Sequence, residues 1–158
     1  MSKVENFLTS EEETAIIEAI RLAEKNTSGE IRVHLEPTSI SAEEPNEHID
    51  AFDRAAEVFD MLNMHNTAAK NGVLIYVAVD DRTLVIMGDE GINDVVEQDF
   101  WESTKDAIVA QFKRGNYKQG LIDGILKAGE QLQKHFPWSE TNINELPNTI
   151  SRGNAQNS

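Results

Sequence analysis

Cysteine is absent from this chain of 158 residues. That removes thiol nucleophiles, the cysteine-based phosphatase mechanism, thiolate-ligated zinc and disulfides, and it leaves the redox compartment open. Long apolar runs are missing too. The N-terminal stretch lacks the apolar core of a signal peptide, and no run approaches the ~20 residues that span a bilayer. A cytoplasmic location is therefore expected. Basic residues are scarce: 14 Lys and Arg against 28 Asp and Glu give a formal charge of −14. Nucleic acid and anionic membrane both require a cationic surface, so neither is expected as a partner. The same balance suits divalent cations or a basic protein partner, and it also serves solubility alone.

The chain does contain enough apolar residues, 39%, for one sizeable core. Its most informative stretch is residues 71–91, where the apolar runs Val73–Val79 and Leu84–Met87 flank the acidic turn Asp80-Asp81-Arg82-Thr83. Short aliphatic runs bounded by turn residues read as a hairpin. Only Tyr76 carries a polar atom within Val73–Val79, so this run is expected to be a central strand covered on both faces. By contrast Ile31, Val33 and Leu35 alternate with Arg32, His34 and Glu36, which predicts a strand with one wet face at an edge of the sheet.

Helical spacing surrounds these strands. Ser10 with Glu13 has the form of a capping box ahead of Ile16, Ile17, Ile20 and Ala23. A second helix is expected over about Ile49–Asn63, with Phe52, Ala55, Ala56, Phe59 and Leu62 inward. A third runs over about Asn93–Lys113 and a fourth through Leu121 to Phe136. Residues 1–136 thus form one domain, and the polar segment 137–158 is expected to be a disordered tail. The order helix–strand–helix–strand–strand–helix–helix implies an α/β fold: a three-layer α/β/α sandwich with a small mixed β-sheet flanked by helices on both faces.

This topology sorts the carboxylates. The first two strands are joined by a crossover, hence parallel, so Glu36, Asp80 and Asp81 share one edge of the sheet. The last strand returns, which places Asp89 and Glu90 at the opposite edge with Glu30, and with Asp94 close by. Carboxylates held at strand ends suit a hard cation. Each has a plainer reading: Asp80 and Asp81 as turn residues, Asp89 and Glu90 as the acidic start of a helix.

The ordered motifs resemble the TPM domain family, whose members include thylakoid lumen proteins and a photosystem repair factor. The matching pieces are Leu8-Thr9-Ser10-Glu11-Glu12-Glu13, Thr27-Ser28-Gly29-Glu30-Ile31, Asn71-Gly72-Val73-Leu74-Ile75, Val79-Asp80-Asp81-Arg82 and Gly88-Asp89-Glu90-Gly91-Ile92. They continue with Phe112-Lys113-Arg114-Gly115-Asn116-Tyr117 and span about residues 8–136. The likeness is to the stand-alone bacterial branch, which carries GDxGI followed by FW, here Phe100-Trp101. Asp89-Glu90 stand where many members have an aromatic-glycine-leucine sequence, and the usual LTD is replaced by Asn93-Asp94-Val95. The resemblance implies the α/β/α sandwich and binding of Ca²⁺, with Mg²⁺ as the alternative, through acidic loop residues. Asp80, Asp81, Asp89, Glu90 and Glu30 are the candidate ligands.

The expected function is therefore a soluble divalent-cation-binding domain, an accessory or interaction protein without robust catalysis, acting with an unknown protein partner and as a monomer. The alternative is a metal-dependent acid phosphatase, an activity attributed to part of the family. No twelve-residue EF-hand loop is present, so a Ca²⁺ site would be discontinuous. His34, His48, His65 and His135 lack metal-ligand spacing. Thr27 and Ser28 have no base nearby in sequence, which argues against a hydroxyl nucleophile. Phe100 and Trp101 read as core packing.

Overall fold

The computed structural model describes residues 8–40, 49–67, 69–97, 99–138 and 150–152. Helix α1 (Ser10–Glu24) leads into strand β1 (Glu30–Glu36), followed by α2 (Ala51–Met61) and the hairpin β2 (Gly72–Ala78) and β3 (Thr83–Gly88). A single turn of helix, α3 (Glu90–Asn93), precedes α4 (Glu102–Phe112) and α5 (Tyr117–His135), and a short strand β4 (Ile150–Arg152) completes the sheet. Strand order is β3-β2-β1-β4, with β1 parallel to β2 and β4, and β3 antiparallel to β2. None of the helices among the described residues is long and apolar enough to cross a membrane.

Side-chain alternation divides the sheet into two faces. Ile31, Val33, Leu35, Val73, Ile75, Val77 and Leu84 face a large core built with α1, α4 and α5. Leu74, Tyr76 and Ala78 face a smaller one against Ala55, Val58 and Phe59 of α2. Every residue of β2 is buried, as its unbroken apolar run requires. The helix caps follow the same economy. Thr9, not Ser10, is the N-cap of α1, with Thr9 and Glu12 closing the capping box. Burial of the preceding Leu8 in the core fixes the chain's entry at that position.

The edge position expected for β1 is not observed. Ile150–Arg152, part of the segment expected to be a tail, pairs with Val33–Leu35 and makes β1 an interior strand. Pro137 and Trp138, at the start of that segment, are also ordered, Pro137 bridging Thr27 and the Trp138 amide donating to the Asn26 carbonyl at 3.1 Å, while 139–149 and 153–158 lie outside the described residues. Where β4 does not reach, the Ile31 amide donates to Glu24 Oε2 at 2.8 Å. Burial raises the Glu24 pKa to about 7, against the pull of the Ile31 amide and with help from the charge of Glu30.

On the face of β1 expected to be wet, Arg32 is half-buried but His34 and Glu36 are buried, for the same reason and because α2 brings a cation to them. Arg54 forks onto Glu36, with Nε 2.9 Å from Oε2 and Nη2 3.0 Å from Oε1. The Tyr76 hydroxyl donates to Glu36 Oε2, and the Ser39 hydroxyl lies 3.1 Å from the Tyr76 hydroxyl. His34 Nε2 sits 3.1 Å from Glu36 Oε1, and its Nδ1 sits 3.1 Å from Ser151 Oγ. With a proton on Nε2 the ring donates to Glu36, and the Ser151 hydroxyl can turn to suit Nδ1. One buried network therefore ties β1 to α2, β2 and β4. It also removes Glu36 from the carboxylate cluster expected with Asp80 and Asp81, since its oxygens are already committed.

Burial alone would raise the Glu36 pKa, but hydrogen bonds from His34, Arg54 and Tyr76 outweigh it and hold the carboxyl at about 2. Burial and the Glu36 bond drive the Tyr76 phenol far above its usual range. A depressed carboxyl pKa contributes stability that is present above the unfolded value of 4.5 and is lost as pH falls through about 2. Urea unfolding across that window should show this loss in the native chain and not in Glu36→Gln. At pH 7, Arg54→Met should cost about 3–5 kcal/mol by stranding a buried carboxylate, and adding Glu36→Gln should recover part of that cost.

Candidate functional site

A cavity of about 310 Å³ opens between α2, the end of β3 and α3. Helix α2 contributes Phe52, Ala56, Phe59 and Asp60; β3 and the residues after it contribute Met87, Gly88, Asp89, Glu90 and Asn93. His65, from the turn after α2, closes the remaining side. Phe52, Ala56, Phe59 and Met87 form its apolar wall, Asp89 and Glu90 stand at the α3 end, and Asp60 follows Ala56 by one turn of α2.

Asp89 is the buried member of this set, 2% exposed. Its backbone amide closes the β2–β3 ladder on Gly72, and its Oδ1 caps α3 by accepting from the Glu90 amide at 2.8 Å. Oδ1 also lies 2.7 Å from His65 Nδ1, and His65 Nε2 lies 2.9 Å from Asp60 Oδ1. The imidazole thus bridges a buried carboxylate and an exposed one, and it packs on the Phe59 ring at 4.6 Å between centroids. Both bridging contacts are hydrogen bonds when each ring nitrogen carries a proton. Asp89 Oδ2 is buried with no hydrogen-bond partner. A carboxylate oxygen in that condition is costly unless something donates to it or binds it.

Backbone packing fixes this corner. A Cβ on Gly91 would lie 2.3 Å from the Ala69 carbonyl oxygen, so only glycine lets α3 seat against residues 69–70. Asn93 then donates to the Gly88 carbonyl at 3.2 Å, tying α3 back to the end of β3.

The candidate ligands separate. Asp89 and Glu90 line the cavity, Asp89 at its floor and Glu90 exposed at the start of α3. Glu30 is buried across Gly72 from Asp89, two strand spacings or roughly 10 Å away by backbone position, and is not among the cavity's lining residues. Asp94 is exposed at the C-cap of α3. At the other edge Asp80 and Asp81 are exposed in the hairpin turn, where Asp81 Oδ2 accepts from the Ser39 amide at 3.2 Å. Arg82 adopts φ 54° in that turn.

Asp60, His65 and Phe52 were not legible as site residues. His65 has no metal-ligand spacing, and Phe52, expected in the inward stripe, is 59% exposed at the cavity. The Phe100–Trp101 pair is packing as expected, edge to face at 4.7 Å, with Trp101 against the main core.

Hard oxygen donors of the kind Ca²⁺ and Mg²⁺ prefer are thus present at the Asp89 corner, including one unpartnered buried oxygen. Among the described residues, no three Asp, Glu or His side chains stand close enough to enclose an ion as they are placed. The donor chemistry fits; a finished cage is not preformed.

An α/β/α domain with an acidic pocket at the Gly88-Asp89-Glu90-Gly91-Ile92 turn agrees with the family comparison. The TPM domain matches residues 1–131, and the chain belongs to that family. It is similar to the BA42 protein of the psychrophilic bacterium Bizionia argentinensis, solved by NMR: 64% identical, TM-score 0.85, over 97% of this chain and 100% of that one. The N-terminal domain of a P. gingivalis protein shares the fold at 20% identity and TM-score 0.63, covering 82% of this chain and 79% of that one. The N-terminal domain of the cg2496 protein from Corynebacterium glutamicum does so at 13% and 0.59, covering 79% of this chain and 74% of that one. No curated protein matches the chain in sequence.

Asp89→Ala should cost about 1–3 kcal/mol in chemical denaturation, because it removes the α3 cap and a partner of His65. Asp89→Asn should cost clearly less, since the amide oxygen still caps Glu90 and the buried charge is gone.

Proposed function

We propose that this TPM domain binds a divalent cation, Ca²⁺ or Mg²⁺, at the Asp89 corner of the α2–β3–α3 cavity, and acts as an accessory or interaction domain rather than a robust catalyst. The observation that carries the reading is Asp89 Oδ2, buried and without a partner in a chain of formal charge −14. Asp89 and Glu90 are the anchoring ligands, and the exposed Asp60 can swing to join them. Reaching Oδ2 requires a side chain to move aside, and His65, half exposed and held by Oδ1, is placed to do so. The bound ion would supply positive charge that knits α2 to α3.

Asp80 and Asp81 are the weaker candidates, because Asp81 is already committed to the Ser39 amide and both stand in open water. The phosphatase alternative is weaker still. No Lys or Arg stands among the described lining residues, while Asp60, Asp89 and Glu90 would repel a phosphoryl group.

A site that must assemble on binding belongs at the low-affinity end for calcium, on the order of 10⁻⁴–10⁻³ M. At ~10 mM Ca²⁺ and a Kd of ~1 mM, mass action adds about 1.4 kcal/mol, or roughly 3–5 °C in Tm for a domain of this size. Asp89→Asn with Glu90→Gln should abolish the shift, and Asp80→Asn with Asp81→Asn should leave it intact. A shift of equal size in the Asp89/Glu90 variant would refute the assignment.

A further inference from the structure

The cavity is larger and more apolar than a lone metal ion needs. About 310 Å³ is the lower end of the range for sites that hold small organic ligands. Its apolar wall offers nothing to Ca²⁺ or Mg²⁺. Phe52 leaves more than half of its surface in water at the mouth, and Phe59 forms the wall behind. The carboxylates are not converged on one point: Asp89 and Glu90 stand at the α3 end, while Asp60 sits on α2 one turn past Ala56. Acceptors beside aromatic faces also suit a bulky organic cation, because ring faces attract ammonium and guanidinium groups. Asp89 Oδ2 lacks a donor, and such groups carry several N–H donors where a metal carries none. Carboxylate and phosphate ligands are repelled by the same set.

We propose that this cavity binds an organic cation: an alkylguanidinium or alkylammonium group on a slim apolar arm, the charged head on Asp89 and Glu90 and the arm against Phe52, Phe59 and Met87. This goes beyond the divalent-ion reading, sharing Asp89 with it but drawing on the apolar wall. The ligand's source is either a free small amine or a basic side chain presented by a protein.

The test is a ¹H–¹⁵N NMR titration of the full chain with agmatine, n-pentanol and a capped Gly-Gly-Arg-Gly-Gly peptide, each repeated on Phe52→Ala. That variant trims an exposed ring and leaves the core untouched. Agmatine should give saturable shifts confined to α2 and Gly88–Asn93, pentanol should give none, and Phe52→Ala should weaken agmatine about threefold to tenfold. Peptide tighter than agmatine assigns the site to a partner's arginine; agmatine equal or tighter assigns it to a free amine. Diffuse, unsaturable agmatine shifts, equal binding of pentanol, or an unchanged Phe52→Ala affinity would overturn the proposal. Phe52→Ala should keep its full Ca²⁺ response, so failure of either reading is visible without the other.

Discussion

The structure depends on one buried ion pair. Among the described residues, helix α2 and the turn after it cover one face of the sheet, with Ala55, Val58, Phe59 and Met64 as the buried apolar anchors. The opposite face is held by three helices and a much larger apolar cluster. Area alone therefore leaves α2 the less firmly seated layer, and Arg54 on Glu36 supplies what is missing: two directed bonds that set the helix's position along β1. A buried pair of this kind gives little net stability against an apolar replacement. Its value here is register. Because Phe52, Ala56, Phe59 and Asp60 all ride on α2, the position of that helix decides whether the cavity exists.

The same network reaches the C-terminal strand through His34 and Ser151, so β4 is fastened by a side chain as well as by three residues of pairing. One set of polar atoms thus decides three things: the seating of α2, the burial of β1 and the attachment of β4.

This explains what the amino-acid pattern disclosed and what it did not. The unbroken run Val73–Val79 could only be a strand covered on both faces, and the sheet was readable from it. The motifs around Gly29, Gly72, Asp89 and Gly115 carried the family. The alternation of Ile31, Val33 and Leu35 with Arg32, His34 and Glu36 pointed to a wet edge, because alternation reports polarity and not whether polar atoms have found partners. The partner of Glu36 stands 18 positions away on a helix face where arginine reads as solvent-exposed. Residues 150–152 were invisible for a related reason: three residues in a polar segment become a strand only when an edge awaits them. Asp89 and Glu90 emerged as candidates because topology places strand ends together. Their neighbours Asp60 and His65 did not: Asp60 reads as an exposed residue of α2, and His65 arrives from the turn after it, which leaves no periodic trace. Glu30 shares the edge but lies across Gly72, a separation that only the register reveals.

The proposed ion site is the buried Asp89 and not the exposed hairpin aspartates. Paramagnetic Mn²⁺, added in substoichiometric amounts to the ¹⁵N-labelled chain, reads this most directly, because amide signals broaden steeply with proximity to the ion. Binding at Asp89 should centre the broadening on Gly88–Asn93, extend it to Asp60 and His65, and leave Val79–Thr83 sharp. Broadening centred on Asp80 and Asp81, or spread evenly over the acidic surface, would contradict it.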